Sequence, residues 1–276
     1  MIAIDMPMPK NCQNCPFKDD GHYRCEICGR SWDRGLEGRP SWCPLTEADD
    51  NEGTVRTLKE SLRDGSWREG FPVRSSFPVE LDEIGECEAR VAAHNADARA
   101  DGAGKAKMTC LLRLPDEWKH AMNPCLAKED PADQELFLPG TGAVGGWEAS
   151  DMRKWLDEKI LPRFPEYLRD LIVPVRKVSR TFLRNCDICD VTTSDVLWIP
   201  SVREMFGLCR FGEHSGPSYA ELFRDGAARA SASWWWLRSA DYASCFRRVY
   251  SDGSNNGNGE TTSGGVVLGF CLDLES

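Results

Sequence analysis

The chain runs to 276 residues, 41% hydrophobic and 28% charged, which suits a folded protein of one large domain or of a domain plus a small module. Acidic side chains number 44 against 34 basic ones, a formal charge of −10, so the chain repels polyphosphate and nucleic acid is excluded as an expected partner. No apolar run approaches the ~18 residues of a membrane span, and Asp5 and Lys10 break the start too early for a secretory signal.

The first 50 residues hold Cys12, Cys15, Cys25, Cys28 and Cys43 among Pro, Gly and charged side chains, with too few aliphatic residues for a core of their own. With no secretory signal, an odd total of 13 cysteines points to metal ligation or free thiols and away from a disulfide framework. Cys12-x-x-Cys15 and Cys25-x-x-Cys28 each set two thiolates one tight turn apart, and zinc takes four such soft ligands in a tetrahedron. Closing that site would stand in for the missing core. Five thiols and His22 compete for the four places. Residues 51–70 read as a connector, an amphipathic helix with Val55, Leu58 and Leu62 on one face and Gly65 placed to end it.

From Phe71 onward the character changes. Segments 79–81, 86–94 and 108–114 read as strands, separated by a turn at Asp101-Gly102-Ala103-Gly104. Ser150 can cap a helix with Met152, Trp155, Leu156 and Ile160 on one face, which Pro162 stops. Pro165 opens a second helix carrying Leu168, Leu171 and Ile172, ahead of β-prone 173–178. Ser201 with Glu204, and Ser218 with Glu221, each spell the Ser-x-x-Glu capping box, so two short helices should frame 207–217. Strands follow at 234–237, 246–250 and 266–272. Helices in the middle with strands on either side give an α+β domain over 71–276, not alternating βαβ units.

Several motifs that could advertise catalysis lack their context. Gly140-Thr141-Gly142-Ala143-Val144-Gly145 spells G-x-G-x-x-G, but Pro139 precedes it and the helix waits until about Ser150, so it reads as a glycine-rich loop. The histidines are His22, His94, His120 and His214, and no G-x-S-x-G elbow presents a serine. Cys186-x-x-Cys189 is a weaker candidate metal site that would need Cys209 or His214. Cys87, Cys110, Cys245 and Cys271 read as small buried hydrophobes. Trp234, Trp235 and Trp236 run together, and in a strand Trp235 would face opposite to its neighbours, one face entering the core and the other covered. Residues 251–265 carry no apolar side chain yet are held between two strands.

Five segments, taken in order, carry a resemblance: Gly145-Gly146-Trp147 with the helix that follows it, Leu171-Ile172-Val173-Pro174-Val175, Leu197-Trp198-Ile199-Pro200-Ser201, Trp235-Trp236-Leu237-Arg238-Ser239 and Gly265-Val266-Val267-Leu268-Gly269-Phe270. Together they resemble an uncharacterised domain family of gut bacterial and prophage proteins. Some members look like the variable proteins of diversity-generating retroelements, whose ligand-binding domain has a C-type lectin fold. Met8-Pro9-Lys10-x-Cys12-x-x-Cys15-Pro16-Phe17 and Arg39-Pro40-x-Trp42-Cys43-Pro44-Leu45 resemble a short cysteine module of phage-type proteins. Cys12, Cys15, Cys25 and Cys43 match that module's pattern, and Cys28 is then the extra thiol.

The resemblance implies a C-type lectin-like ligand-binding domain over 71–276, preceded by a module over 1–50 that holds a structural zinc on Cys12, Cys15, Cys25 and Cys43. It implies binding of a protein or glycan by a surface that varies over a constant fold, in the cytoplasm or on a phage particle, and no catalysis. In such systems adenine mutagenesis turns Asn codons into codons for residues such as Asp, Tyr, Ala, Ser, Arg and Gly, but never Glu, Lys, Gln, Met or Trp. Asp241, Tyr242, Ala243, Ser244, Arg247, Tyr250, Ser251, Asp252, Ser254, Asn255, Asn256 and Asn258 pass that filter, and Glu260 does not. The sugar-binding triplets of animal lectins, Glu-Pro-Asn and Gln-Pro-Asp, are absent, so lectin activity does not follow from the fold. The alternative is a thiol- or metal-dependent enzyme on the related fold of formylglycine-generating enzymes, whose cysteine pair Cys245 and Cys271 could imitate only by accident of packing.

Overall fold

The computed structural model describes residues 2–4, 18–19, 24–25, 45–47, 51–124, 143, 145–182, 188–207, 212–219, 223, 229–242 and 244–274. No helix among them is long and apolar enough to cross a membrane. The chain divides into two compact units, Met1–Thr54 and Val55–Ser276. In the first, β1 (Ile2–Ile4), β2 (Lys18–Asp19), β3 (Arg24–Cys25) and β4 (Leu45–Glu47) are short, with β1 parallel to β4 and β2 antiparallel to β3. Cys12, Cys15, Cys28, Cys43 and His22 lie outside the described residues, and Cys25 is described only as backbone of β3.

The second unit takes in more than the strands. Helices α1 (Asn51–Asp64) and α2 (Trp67–Gly70) are not a bare connector, because Leu58, Leu62 and Trp67 are buried in this unit's core. Gly65 ends α1 as expected: its φ of +86° is a left-handed conformation, and its N–H closes on the Ser61 carbonyl at 3.1 Å. Strands β5 (Ser76–Leu81) and β6 (Gly85–His94) bury alternate residues, Phe77, Val79 and Leu81 on one and Cys87, Ala89 and Val91 on the other. Strand β7 (Met108–Arg113) is buried from Met108 to Leu112 because it lies inside the sheet and both its faces are covered.

The middle of the chain is helical. Short helix α3 (Gly146–Ala149) leads into α4 (Asp151–Trp155), where the Ser150 hydroxyl accepts the Arg153 amide as a cap. The helix widens into a π-helical turn at Leu156–Ile160 and closes in a 3₁₀ turn, Leu161–Arg163, where the Pro162 ring forbids continuation. Helix α5 (Glu166–Arg169) follows Pro165. Then β8 (Val175–Phe182) pairs antiparallel with β9 (Ile188–Asp195), which puts Cys189 on a strand and not on a loop. Helix α6 (Val202–Phe206) begins at the expected Ser201–Glu204 capping box, with both reciprocal hydrogen bonds present. The second expected box ends at Glu221, outside the described residues.

Strands β10 (Trp235–Tyr242), β11 (Cys245–Val249) and β12 (Asn255–Gly259) form an antiparallel sheet, and β13 (Val267–Leu272) joins the first sheet in the order β13-β7-β6-β5. Strand β12 corrects the expectation of an irregular segment: Asn255 to Gly259 pair residue by residue with Val249 to Cys245. An edge strand needs backbone partners on one side only, and a polar sequence can supply them. Mostly antiparallel sheets with segregated helices make the unit α+β. Trp147, Trp198, Trp236, Phe246 and Phe270 are among its largest fully buried side chains. Gly269 is required by close approach, since a Cβ there would stand 2.3 Å from Cη2 of Trp198.

Candidate functional site

The three-stranded sheet β10-β11-β12 carries the exposed tyrosines of the second unit, Tyr242 at the end of β10 and Tyr250 just beyond β11, 61% and 41% exposed. Arg248, opposite Asn256 in the register, lies between two rings, with its guanidinium 4.8 Å from the Trp234 centroid and 5.0 Å from that of Tyr250. The turn from Tyr250 to Ser254 is tight: Gly253 donates to the Tyr250 carbonyl at 2.9 Å, and Tyr250 donates to the Ser254 carbonyl at 2.8 Å. Asp252 caps that turn, and hydrogen bonds from the side chain and amide of Ser254 hold its carboxyl below the usual range.

The sheet does not present every residue nominated by sequence. Tyr242, Tyr250, Ser251, Asp252, Ser254 and Asn256 are exposed, and Ser244, Asn255 and Asn258 are half-buried. Ala243 lies outside the described residues. Asp241 and Arg247 are buried: Nη2 of Arg247 donates to Oδ1 of Asp241 at 2.6 Å, with both side chains about 8% exposed. Opposite Arg247 stands Gly257, where a Cβ would come within 2.8 Å of Oδ2 of Asp241. These two charges lock β10 to β11, and the glycine makes room for them.

Beneath the sheet the sequence motifs converge. Trp235 and Trp236 are both buried, one on each face of β10, and Nε1 of Trp236 donates to the His120 carbonyl at 3.0 Å. Two residues on, Arg238 uses all five of its N–H bonds. Its terminal nitrogens clasp Glu204 (Nη1 to Oε2 2.6 Å, Nη2 to Oε1 2.9 Å) and also donate to the carbonyls of Ile199 and Val178, while Nε donates to Ser179 Oγ. Burial opposes charge on Glu204, but Arg238 and Lys177 outweigh it and hold the carboxyl down to about 2.

Lys177 is the second buried cation, 0% exposed, and its ammonium donates to Asp97 Oδ1 at 2.5 Å, Glu204 Oε1 at 3.1 Å and Tyr219 Oη at 3.1 Å. It also stands 3.1 Å from the centroid of the Trp198 ring. Oδ2 of Asp97 accepts from the hydroxyls of Tyr219 and Thr109, each at 2.6 Å. Glu213 extends the system by accepting the Arg180 and Arg203 amides and the Ser239 hydroxyl. Separately, Asp195 takes the Trp147 indole, Thr193 and Arg153. Among these charges Glu204 alone was marked by the sequence, as a cap. Lys177 and Arg238 betray themselves only as charges inside apolar runs, Val175-Arg176-Lys177-Val178 and Trp235-Trp236-Leu237-Arg238.

Among the described residues, the buried thiols of the second unit lie in settings that hold them protonated. Cys271 is buried beside Asp97, and burial together with that carboxylate pushes its thiol well up, while burial does the same for Cys110. Cys245 is half-buried, with its sulfur 3.8 Å from Ser244 Oγ. His214 is 86% exposed and 3.5 Å from Asp190, and Cys186 and Cys209 lie outside the described residues. Among the described residues no group of three or more His, Cys, Asp or Glu is arranged to hold a metal. A cleft of about 260 Å³ opens beside β10, floored by Leu111, Met205, Trp235 and Val267 and rimmed by Arg90, Arg113 and Arg229. Arg113 there is committed to Asp116, Ser231 and Ser233, and Arg229 to the Gly253 carbonyl.

Comparison with known proteins bears on the C-terminal half. A family model described as a domain of unknown function (DUF6273) matches residues 140–274. No curated protein and no solved structure matches the chain.

Proposed function

We propose that the chain is a ligand-binding protein of the receptor-recognition type, in which a C-type lectin-like domain presents the rim of β10-β11-β12 to a protein or glycan. One observation carries the reading. The resemblance-bearing residues Trp147, Trp198, Trp236, Arg238 and Gly269 are committed to the interior, while Tyr242, Tyr250, Ser251, Asp252, Ser254 and Asn256, none of them in those motifs, are in solvent on one sheet and its turns. Tyrosines surrounded by short polar side chains supply rigid contact area and adaptable hydrogen bonds, the composition of antibody loops. A surface of this kind suits diversification as the variable protein of a diversity-generating retroelement. Asp241 and Arg247 fall outside the variable set, since either one changed alone leaves the other buried without its charge partner.

The N-terminal module completes the proposal. Cys12, Cys15, Cys25 and Cys43 are a donor set suited to structural zinc, which would staple a segment with little core. Metal analysis of the purified protein should find about one zinc per chain, lost in the Cys12→Ser and Cys15→Ser variants. The binding surface is tested by a displayed library randomised at Tyr242, Tyr250, Ser251, Asp252, Ser254 and Asn256 and selected against a glycan array and a soluble test protein. Folded members with new specificities are expected. A library that mostly unfolds would assign these residues to packing and end the reading.

A further inference from the structure

We infer that Lys177 and Asp97 are the partners of an intramolecular isopeptide bond, formed autocatalytically after folding with Glu204 as the proton acceptor. The nucleophile, the carboxyl and the third acid meet in one dry site: Lys177 and Asp97 are both 0% exposed, with Nζ 2.5 Å from Oδ1, and Glu204 is 1% exposed with Oε1 3.1 Å from the same Nζ. Each comes from a different part of the unit. Lys177 is in β8, Asp97 precedes β7, and Glu204 is in the first turn of α6, so only the completed fold assembles them.

The chemistry balances without a co-reactant. The Lys177 nitrogen attacks Cγ of Asp97, a C–N bond forms, the Cγ–Oδ1 bond breaks, and Oδ1 leaves as water. Two protons pass from the nitrogen to that oxygen by way of the Glu204 carboxylate, which already accepts a hydrogen bond from the same nitrogen at 3.1 Å. The ammonium and carboxylate charges cancel in the neutral amide. Oδ2 stays behind as the amide oxygen, and the Tyr219 and Thr109 hydroxyls already donate to it at 2.6 Å, where negative charge gathers as the carbon becomes tetrahedral. Holding the reactants in contact supplies effective concentrations on the order of 10⁵–10⁸ M. A dry interior also penalises an ion pair far more than it penalises an amide.

The charge pattern divides in the same way. Condensation of Lys177 with Asp97 would leave Glu204 and Arg238 as a closed, bidentate pair with every guanidinium N–H still used. The ring of Trp198 and the phenol of Tyr219 wall the site. The bond would close a loop of 80 residues and tie the β8-β9 hairpin to the four-stranded sheet.

Mass spectrometry of the unfolded, full-length wild-type chain tests this directly. The expected mass is one water below that of the sequence, and proteolysis should yield a branched species joining the peptides of Lys177 and Asp97. A succinimide at an Asp-Gly step such as Asp64-Gly65 loses the same water but leaves its peptides linear. In the Asp97→Asn variant the same attack would release ammonia, so the mass should fall by ammonia. The Glu204→Gln variant, where it folds by near-ultraviolet dichroism, should remain unlinked. Linear Lys177 and Asp97 peptides from folded wild-type protein, with or without a lost water, would overturn the inference.

Discussion

The interior around Arg238 and the rim of the sheet that carries it are one strand apart, yet opposite physical rules govern them. In the interior every N–H of Arg238 has an acceptor, and water cannot replace one that is lost. On the rim Tyr242, Tyr250 and Asn256 face solvent, which satisfies any polar group left over. Such a molecule constrains composition steeply inside and hardly at all a few ångströms away, and that contrast is what a recognition surface on a constant scaffold requires.

The sharpest way to break the comparison is to strike the interior. Arg238→Met removes the bidentate partner of Glu204 and leaves its buried carboxylate without the cation that clasps both oxygens. Breaking a buried pair from one side typically costs ~3–5 kcal/mol, so the variant should unfold at much lower urea or fail to accumulate. Replacing Glu204 as well should recover part of the loss, because two apolar side chains leave no orphaned charge. Equal stability of Arg238→Met and wild type would mean that the interior is no stiffer than the rim.

Acid probes the same interior without mutation. The Glu204 carboxyl, ordinarily near 4.5, is held at about 2 in the fold. A depressed carboxyl stabilises the folded state above its unfolded value, and that contribution is lost as pH falls from about 4.5 toward about 2. The magnitude is on the order of 3 kcal/mol. Denaturation followed between those limits should show a steeper slope in the wild type than in Glu204→Gln, where depressed carboxyls such as Asp101 and Asp252 still contribute.

The Asp241–Arg247 pair sits on the border, in the sheet of the rim but with the burial of the interior. A double-mutant cycle with Asp241→Asn and Arg247→Met should return a coupling of ~1–3 kcal/mol, against nearly zero for an exposed pair such as Lys154–Asp151. A coupling near zero would return both residues to the variable surface.

Legibility followed the same division. The β5, β6 and β7 strands, the Ser150 cap and the Ser201–Glu204 capping box could all be read from the chain, because each depends on local periodicity or on a side chain meeting its own backbone. Strand β12 could not, since Asn255-Asn256-Gly257-Asn258-Gly259 has turn composition and is a strand only because β11 offers it a ladder. Strand β9 was not legible either, although Ile188, Val191, Thr192 and Thr193 are β-branched, because Asp190, Ser194 and Asp195 break the apolar alternation. The exposed tyrosines were nominated correctly as solvent-facing. Asp241 and Arg247 were nominated for the same reason and are buried, because their pairing runs across β10 and β11 and no local pattern encodes it. The meeting of Asp97, Lys177, Glu204 and Arg238 is more remote still, since it exists only in three dimensions.

The smallest expected effect is the one on which the binding reading depends. Tyr242→Ala and Asn256→Ser, made singly, should each move stability by within about 0.5 kcal/mol, because exposed side chains away from caps and constrained backbone give up little on truncation. Tyr250 should show the larger change of the two tyrosines, since its ring stacks on Arg248, and an exposed cation–π contact is worth ~0.5–1 kcal/mol. Asp252 should be less tolerant than its exposure suggests, and so should Gly253, which is buried. Asp252 accepts the Ser254 amide at 2.8 Å, and Gly253 has φ +83°, which strains any side chain placed there. A melting-temperature scan across 242–258 should therefore trace a plateau at Tyr242, Ser251 and Asn256, with dips at Arg247, Gly253 and Gly257. Dips spread evenly over all of these positions would mean that the rim is packed like the interior, and the contrast between the two regions would be lost.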